Sequence, residues 1–378
     1  MRLAYIADPL SIHTQRWVTF FAQQGHAVHL IDLRAPGRPP APPLPRVTIH
    51  EVPKGPKLPL PRAQGIFYYP VAAWRTRRIL RRLRPQLLHA HYISEHAWVG
   101  ALSGFRPLVL TAWGGDILAD QGAFDRRIQR LLTPFAIRAA ALLTADAAPL
   151  VEMLDRYRRP QTPVLLIRFG ADRTRFHPGI DTSALRQELD LGAGPVVFSP
   201  RSFQPIYRIE TIIRAWPAVI AQRTDARLLL KSFVADPSYT AQLHRLVDDL
   251  EIASSVRFVG TTDYATMPAF YNLAAVTVSV PASDGLPATA LEAMACGSPL
   301  VVSDLPWTTG VIEHERNGLL VPTDDRAALT AAILRLLDDD ALRRRIIEGG
   351  LTFSAEHGDW AGEMRKVERA YAGIGNRG

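Results

Sequence analysis

The sequence predicts an α/β protein built from two doubly wound parallel sheets, and three observations lead to this fold class. The chain of 378 residues is long for a single hydrophobic core, which predicts two domains. Apolar runs typical of buried parallel strands alternate with helical segments from the first residues onwards. The same alternation restarts at Val196–Ser199, after a stretch at 168–178 that is typical of a linker.

The first half opens with a β-α-β unit. Residues 3–7 form an apolar run, residues 14–24 have the apolar spacing of a helix closed by Gly25, and residues 28–33 predict a second strand. Ten prolines in residues 36–63 exclude a helix there and leave room for one short strand at 47–52. Further strands are predicted at 87–91, 108–111, 142–145 and 164–167. Because ligands of such sheets bind at the carboxyl ends of the strands, residues 8–16 are a candidate binding loop.

The second half continues in the same way. Strands are predicted at 227–231, 256–259 and 276–280, with helices between them at 209–221, 238–250 and 265–273. Two more helices are predicted, one near 326–337 and one that begins at 342. The last helix, residues 360–372, has an amphipathic pattern with Trp360, Met364, Val367 and Tyr371 on one side.

Composition limits the class of protein. Hydrophobic residues make up 47% of the chain and the mean hydropathy is close to zero, as in globular proteins. No run approaches the roughly 18 apolar residues that cross a bilayer, and the first seven residues are too short for a signal peptide. The single cysteine, Cys296, excludes an intramolecular disulfide and indicates a reducing, cytoplasmic setting. We expect it to be a small buried hydrophobe.

Charge is distributed unevenly along the chain. Residues 1–178 hold 25 Lys and Arg against 11 Asp and Glu, whereas residues 179–378 hold 19 against 25. The basic half includes Phe67-Tyr68-Tyr69 and six arginines within 74–84. Aromatics before a basic helix fit an anionic membrane surface, and a solvated outer helix fits the same pattern. Two interpretations of residues 67–84 therefore remain open: peripheral contact with a membrane, and a solvated outer helix of the sheet.

A stretch at 283–302 carries the strongest chemical signal. It places two carboxylates, Asp284 and Glu292, on either side of a predicted helix start. Pro287 fits the first helical position, and Gly297 fits the position just past the last one. Because a helix N-terminus presents free N–H groups and a positive dipole end, this stretch predicts a phosphate-bearing ligand.

The stretch resembles the donor-site signature of retaining nucleotide-sugar glycosyltransferases of the family 4 type. The match is carried by Asp284 followed by Glu292-Ala293-Met294-Ala295-Cys296-Gly297-Ser298-Pro299. Further similar motifs are Gly170-Ala171-Asp172, Ser199-Pro200-Arg201, Val256-Arg257-Phe258-Val259-Gly260 and Asn317-Gly318-Leu319-Leu320-Val321. The resemblance implies a GT-B fold, in which two Rossmann-like domains face each other across a cleft.

The resemblance also implies domain boundaries. Residues 1–178 are expected to form the N-terminal acceptor-side domain, and residues 179–358 the C-terminal domain that binds the nucleotide-sugar donor. Residues 359–378 are expected to form the helix that crosses back onto the first domain.

The resemblance implies roles for the residues of the donor site. Glu292 is expected to bind the ribose diol, because one carboxylate can accept two hydrogen bonds from it. Asp284, where the family usually has Glu, is expected to hold hydroxyls of the transferred sugar in a catalytic role. The phosphate is expected to lie against the stretch Gly285, Leu286, Pro287, Ala288 and Thr289.

Cations on the leaving diphosphate stabilise its developing charge. Arg201 matches the family's Arg, but Tyr207 stands where the family has Lys, followed by Arg208. Either Arg208 or Lys231 supplies the second cation, or Tyr207 donates a hydrogen bond. Our interpretation assigns the catalytic cations to Arg201 and Lys231.

The first half carries the candidates for the acceptor: His13, Arg16, Trp113 and Asp116. Retaining relatives are thought to need no enzymic nucleophile, because the leaving phosphate accepts the acceptor's proton. His89 and His91 share a strand face, and we interpret His89 as a core residue. No D-x-D motif is present, so the sequence predicts no metal and no cofactor beyond the nucleotide-sugar substrate.

These observations predict a retaining, metal-independent glycosyltransferase that acts on a polysaccharide or glycolipid acceptor. Its expected location is cytoplasmic or peripheral to the membrane. Alternatives of the same fold are an epimerase, a phosphorylase and an inactive donor-binding homologue. A nicotinamide dehydrogenase is disfavoured because the G-x-G-x-x-G fingerprint is missing. A nucleic-acid-binding protein, suggested by the pI near 9.9, is disfavoured by the acidic second half.

Overall fold

The structure is a computed structural model that describes residues 1–34, 41, 43–53, 64–114, 126–167 and 170–375. For residues 64–67, 126–127 and 375 it describes the backbone only. Asp116 and most of the proline-rich segment 36–63 lie outside the described residues. Contacts between residues divide the chain into two compact units. Unit 1 comprises Met1–Ile167 with Gly362–Gly378, and unit 2 comprises Arg168–Ala361.

Unit 1 is a parallel sheet with helices on both faces. Its elements are, in chain order, β1 Arg2–Ile6, α1 Ile12–Gln23, β2 Ala27–Arg34, β3 Val47–Pro53, α2 Gln64–Leu83, β4 Leu87–His91, α3 Glu95–Leu102, β5 Leu108–Ala112, α4 Arg126–Ala139, β6 Leu142–Ala145, α5 Ala148–Asp155 and β7 Val164–Leu166. Within the described part of the chain the sheet has seven strands in the order β3-β2-β1-β4-β5-β6-β7. Helix α3 packs between α2 and α4, so these three helices form one layer.

Unit 2 repeats this architecture. Its elements are α6 Ser183–Glu188, β8 Val196–Ser199, α7 Ile209–Ile220, β9 Arg227–Lys231, α8 Pro237–Asp249, β10 Val256–Val259, α9 Met267–Leu273, β11 Val276–Ser279, α10 Ala288–Ala295, β12 Leu300–Ser303, β13 Leu319–Val321, α11 Arg326–Asp338 and α12 Asp340–His357. Its six described strands run parallel in the order β10-β9-β8-β11-β12-β13. The predicted fold class, two doubly wound Rossmann-like units, is confirmed.

The last helix, α13 Trp360–Gly375, packs in unit 1 over most of its length. Tyr371 is fully buried there, and its hydroxyl accepts a hydrogen bond from Trp17 Nε1 over 3.2 Å. The same hydroxyl lies 2.5 Å from Nδ1 of His89 on β4. Tyr371 therefore connects α13 to α1 and to β4.

Residues 168–178 belong to unit 2, although the sequence-based boundary was placed after residue 178. The Phe176 ring packs 5.6 Å from that of Tyr264 and 6.1 Å from that of Tyr271. Gly170 lies close to the backbone of Gly358. A Cβ atom at position 170 would lie only 2.1 Å from the carbonyl oxygen of Gly358. These contacts join the segment to the second core.

Four of the described helices were not predicted from the sequence: α3, α4, α5 and α6. Helix α3 is buried over most of its surface, so it has no polar stripe for periodicity to detect. Helices α5 and α6 are only 8 and 6 residues long, which is too short for a convincing repeat.

Candidate functional site

The sheet of unit 2 reverses its strand order between β8 and β11. From this pair, β9 and β10 extend to one side and β12 and β13 to the other. In open parallel sheets such a switch point leaves a crevice at the carboxyl ends of the strands, where ligands bind. The loops after β8 and β11 carry Arg201 and Asp284 to this edge.

Hydrogen bonds between the loops hold this edge together. Phe203 N donates to Ser232 Oγ over 3.0 Å, which joins the loops after β8 and β9. Ala282 N donates to the Ile206 carbonyl over 2.9 Å, which joins the loops after β11 and β8. The loop after β8, which carries Arg201, is therefore hydrogen-bonded to the loops on both of its sides.

Arg201 and Asp284 form an ion pair at the switch point. Arg201 Nη2 donates to Asp284 Oδ2 over 2.6 Å, and Nη1 donates to Thr289 Oγ1 over 3.1 Å. The guanidinium also lies over the Tyr207 ring at 4.2 Å from its centre. The Arg201 and Asp284 side chains are only 7% and 18% exposed. Burial raises the pKa of the Asp284 carboxyl, and the adjacent Arg201 opposes that rise.

Helix α10 begins one residue later than the sequence indicated. Pro287 has extended backbone and occupies the N-cap, so Ala288 is the first helical residue. At the other end Gly297 takes a left-handed φ of +69°. Its N–H donates to Met294 O, and Ser298 N–H donates to Ala293 O, which is the Schellman pattern of a helix end. The predicted glycine stop is confirmed.

Glu292 is buried on α10, and both of its carboxylate oxygens accept from tyrosines. Tyr271 OH donates to Oε2 over 2.9 Å, and Tyr264 OH donates to Oε1. Tyr271 is fully buried on α9, whereas Tyr264 is partly exposed on a short 3₁₀ turn, Tyr264–Thr266. Sequence reasoning missed both tyrosines. The position of Tyr264 in the loop after β10, at the carboxyl edge, was the only signal for it.

Lys231 ends β9 at the same edge and is fully buried. Its ammonium lies 3.8 Å from the centre of the Phe233 ring and 5.6 Å from that of Phe270. Within the described residues its Nζ atom has no hydrogen-bond partner. Burial lowers the pKa of Lys231 to about 8. A buried ammonium that makes no hydrogen bond is costly, so this position favours an anionic ligand.

Tyr207 and Arg208 have different surroundings. Tyr207 ends the short 3₁₀ turn Pro205–Tyr207, and its ring stacks on Arg201. Arg208 has a left-handed backbone, and its guanidinium pairs with Glu210 at 3.5 Å and with Asp324 at 3.3 Å. The side chain of Arg208 is thus paired with one acid at the start of α7 and one just before α11, whereas that of Lys231 has no acidic partner among the described residues.

Neither a reactive thiol nor a group of metal ligands is found among the described residues. Burial, with the Glu292 carboxylate nearby, raises the pKa of the Cys296 thiol to about 12, as expected for an unreactive core residue. Among the described residues, no three His, Cys, Asp or Glu side chains are grouped as metal ligands.

In unit 1 the structure brings two of the candidate acceptor residues together. The His13 ring, at the start of α1, lies 4.6 Å from the Trp113 ring, which follows β5. Both positions lie at the carboxyl ends of strands, and Tyr92, after β4, lies 6.0 Å from Trp113. Arg16 lies further along α1.

His89 is confirmed as a core residue. It is fully buried, and burial lowers its pKa to about 3. Its Nε2 atom lies 2.6 Å from Thr111 Oγ1, which lies 2.6 Å from Thr144 Oγ1. His91 is fully buried beside it, and burial also lowers its pKa.

Two family models match the chain in succession. The model described as Glycosyl transferase 4-like matches residues 2–147, and the model described as Glycosyl transferases group 1 matches residues 181–352. The two matches fall on the sheets of unit 1 and unit 2 respectively. None of the helices in the described ranges is long and apolar enough to cross a membrane.

Relatives and solved structures are similar over most of the chain. The N-acetyl-alpha-D-glucosaminyl L-malate synthase of Bacillus anthracis is 26% identical over 338 residues, which are 86% of this chain and 84% of the relative. A sucrose-phosphate synthase structure from Thermosynechococcus elongatus has a TM-score of 0.85 at 21% identity, over the whole of both chains. The Anabaena protein HepE, solved in complex with UDP-glucose, has a TM-score of 0.82 at 17% identity, over 99% of this chain and all of that one.

Proposed function

Because this chain belongs to the GT-B glycosyltransferases of the family 4 type, we propose that it moves a sugar from a nucleotide diphosphate donor to a glycan or lipid-linked acceptor. The observation that carries the proposal is Lys231, a buried ammonium without a hydrogen-bond partner in the described residues, at the edge that also holds Arg201 and Glu292. A diphosphate would supply the missing anion. The HepE complex with UDP-glucose supports this donor class.

Each donor group has a counterpart in unit 2. Glu292 would accept hydrogen bonds from the ribose diol in place of the Tyr264 hydroxyl, which occupies Oε1. Lys231 and Arg201 would face the diphosphate together with the first N–H groups of α10. Asp284 holds Arg201 through Oδ2, and a carboxylate has lone pairs left for a hydroxyl of the donor sugar.

The proposed reaction proceeds with retention at the anomeric carbon. The bond from that carbon to the diphosphate oxygen breaks, and the acceptor oxygen bonds to the same face. The acceptor's proton passes to the departing phosphate, so no enzymic base is needed. The cations at the edge stabilise the charge that grows on the diphosphate. No metal takes part in this scheme.

Incubation with a panel of UDP-, GDP-, ADP- and dTDP-sugars tests the proposal, with donor binding and hydrolysis as readouts. The name of the Bacillus relative makes an N-acetylglucosamine donor the first choice. We expect Glu292→Ala to weaken binding of the accepted donor by about tenfold or more, because charged hydrogen bonds contribute about 1.5–3 kcal/mol. Glu313→Ala removes an exposed acid and is the control. Absence of binding to every donor, or undiminished binding by Glu292→Ala, refutes the proposal.

A further inference from the structure

Arginines line two adjoining grooves on unit 1. The first groove, of about 640 Å³, lies between the end of α2 and the turn after α3, and the second, of about 390 Å³, lies beside α4. Arg106 lines both. We call the set the arginine face; it comprises Arg77, Arg81, Arg84, Arg106, Arg138 and Arg159. No acidic side chain of the described residues lines either groove.

The arginine face lies at the amino edge of the sheet in unit 1. Helix α2 ends just before β4, and Arg106 comes just before β5. Arg138 lies in the last turn of α4, before β6, and Arg159 precedes β7. All these positions lead into the starts of parallel strands, whereas His13 and Trp113 follow strand ends. The arginine face is therefore at the opposite end of the sheet from the candidate acceptor residues.

Among the described residues, no acidic side chain neutralises the positive charge of this face. None of its six arginines forms an ion pair with a described residue. Arg106 donates to the carbonyl of Phe105, and burial together with the charge of Arg159 lowers its pKa. Like charges that crowd a groove without a counter-ion indicate an anionic partner outside the chain.

Apolar side chains are exposed beside these charges. Leu131 and Phe135 line the second groove and are 73% and 44% exposed. On α2, in the same helical layer, Val71 and Trp74 are 44% and 56% exposed, and Arg78 lies over the Trp74 ring. Hydrocarbon and guanidinium groups on one surface fit a partner that has an anionic exterior and an apolar layer beneath it.

We propose that the arginine face binds the surface of an anionic phospholipid bilayer. Arginine side chains are attracted to the anionic headgroups of such a surface, and Leu131 and Phe135 gain from contact with lipid chains. A nucleic acid would supply the negative charge, but it has no apolar layer that the exposed Leu131 side chain could enter. The basic helix for which the sequence left membrane contact open thus contributes Arg77, Arg81 and Arg84 to a wider surface. Arg75, which donates to the Pro53 carbonyl, is outside it. The inference is independent of sugar transfer, because no donor-site residue takes part.

Co-sedimentation with vesicles tests the proposal. The probes are phosphatidylcholine vesicles with and without phosphatidylglycerol, and the test variant combines Arg81→Gln, Arg84→Gln and Arg106→Gln. The control combines Arg214→Gln, Arg245→Gln and Arg344→Gln, which removes the same charge from exposed positions on helices of unit 2. We expect the native chain to bind only vesicles with phosphatidylglycerol, the test variant to lose about tenfold or more in affinity, and the control to match the native chain.

A second variant tests the apolar contribution. Leu131→Ser with Phe135→Ser leaves the charge unchanged, and we expect it to reduce the binding that persists at high salt, where charge attraction is screened. Equal loss by the test and control variants overturns the proposal, as does equal binding to both vesicle types. Tighter binding to duplex DNA than to anionic vesicles, lost in the same arginine variant, also overturns it. Thermal melts of the variants confirm that each is folded.

Discussion

The Arg201 guanidinium lies 2.6 Å from the carboxylate of Asp284, the acid that the sequence places before helix α10. These residues stand 83 positions apart and meet because β8 and β11 are neighbours in the sheet of unit 2. The acid expected to hold a sugar hydroxyl thus also orients a cation of the site.

Removal of this carboxylate tests how far the pair stabilises unit 2. Asp284→Ala leaves Arg201 buried without a counter-ion, and we expect the free energy of unfolding to fall by about 3 kcal/mol. The Glu313–Arg316 pair is exposed on both sides, so Glu313→Ala should cost less than about 0.5 kcal/mol. Chemical denaturation measures the loss in both variants. Equal losses would show that the buried pair stabilises the protein no more than an exposed pair does.

Lys231 predicts a pH dependence of donor binding. Its pKa near 8 means that the ammonium is charged below that pH and neutral above it. The affinity for UDP should therefore fall as pH rises through about 8, a range in which the phosphate, with a second pKa near 6, stays ionised. Titration calorimetry should find this dependence absent in Lys231→Met and intact in Lys366→Met, which removes an exposed lysine of unit 1. A native affinity that is constant from pH 7 to 9 contradicts the role of Lys231.

Tyr264 competes with the proposed ribose contact. Its hydroxyl takes one oxygen of Glu292, and its partly exposed turn allows it to leave, whereas Tyr271 is fully buried. Tyr264→Phe should raise the affinity for UDP several-fold, because the native chain must break a hydrogen bond to a charged group before ribose binds. Tyr271→Phe should lower stability without that gain. An affinity that is unchanged or lower in Tyr264→Phe would mean that Tyr264 stays on Glu292 when UDP is bound.

His89, one of the buried histidines of unit 1, predicts a loss of stability in mild acid. His89 has a pKa near 3 when folded and about 6.5 when unfolded, so the unfolded chain takes up a proton that the folded chain does not. The free energy of unfolding should fall as pH drops below 6.5, and the decline should be shallower in His89→Gln. Denaturation between pH 6.5 and 5, where most carboxyls remain ionised, compares the slopes. Parallel slopes contradict the prediction.

Tyr371 joins α13 to this network. Its hydroxyl contacts both Trp17 and His89, so Tyr371→Phe leaves two buried polar groups without this partner. We expect a loss of about 1–3 kcal/mol in stability, measured by denaturation at neutral pH. Tyr157→Phe, at a half-buried position in the turn after α5, is the control and should change stability little.

Sequence patterns predicted most strands of both sheets within a residue or two. A strand buried on both faces is a continuous apolar run, as in Leu87–His91 and Val196–Ser199, and such runs are visible without any tertiary information. Helices were predicted less well, since α3 is apolar nearly all round. The sequence-based boundary was placed after residue 178, whereas the contacts place residues 168–178 in unit 2, because the packing of Phe176 on Tyr264 and Tyr271 leaves no local pattern.

The sequence by itself determined the doubly wound class, the strand ends that carry Arg201, Lys231 and Asp284, and the Gly297 stop of α10. These features follow from local patterning and backbone conformation. Only the tertiary structure decided which partner each charge has: Asp284 holds Arg201, two tyrosines hold Glu292, and Lys231 is buried against aromatic rings without a hydrogen-bond partner among the described residues. The reason is physical, since hydrogen bonds and burial depend on distances between elements that the sheet order, not chain proximity, brings together.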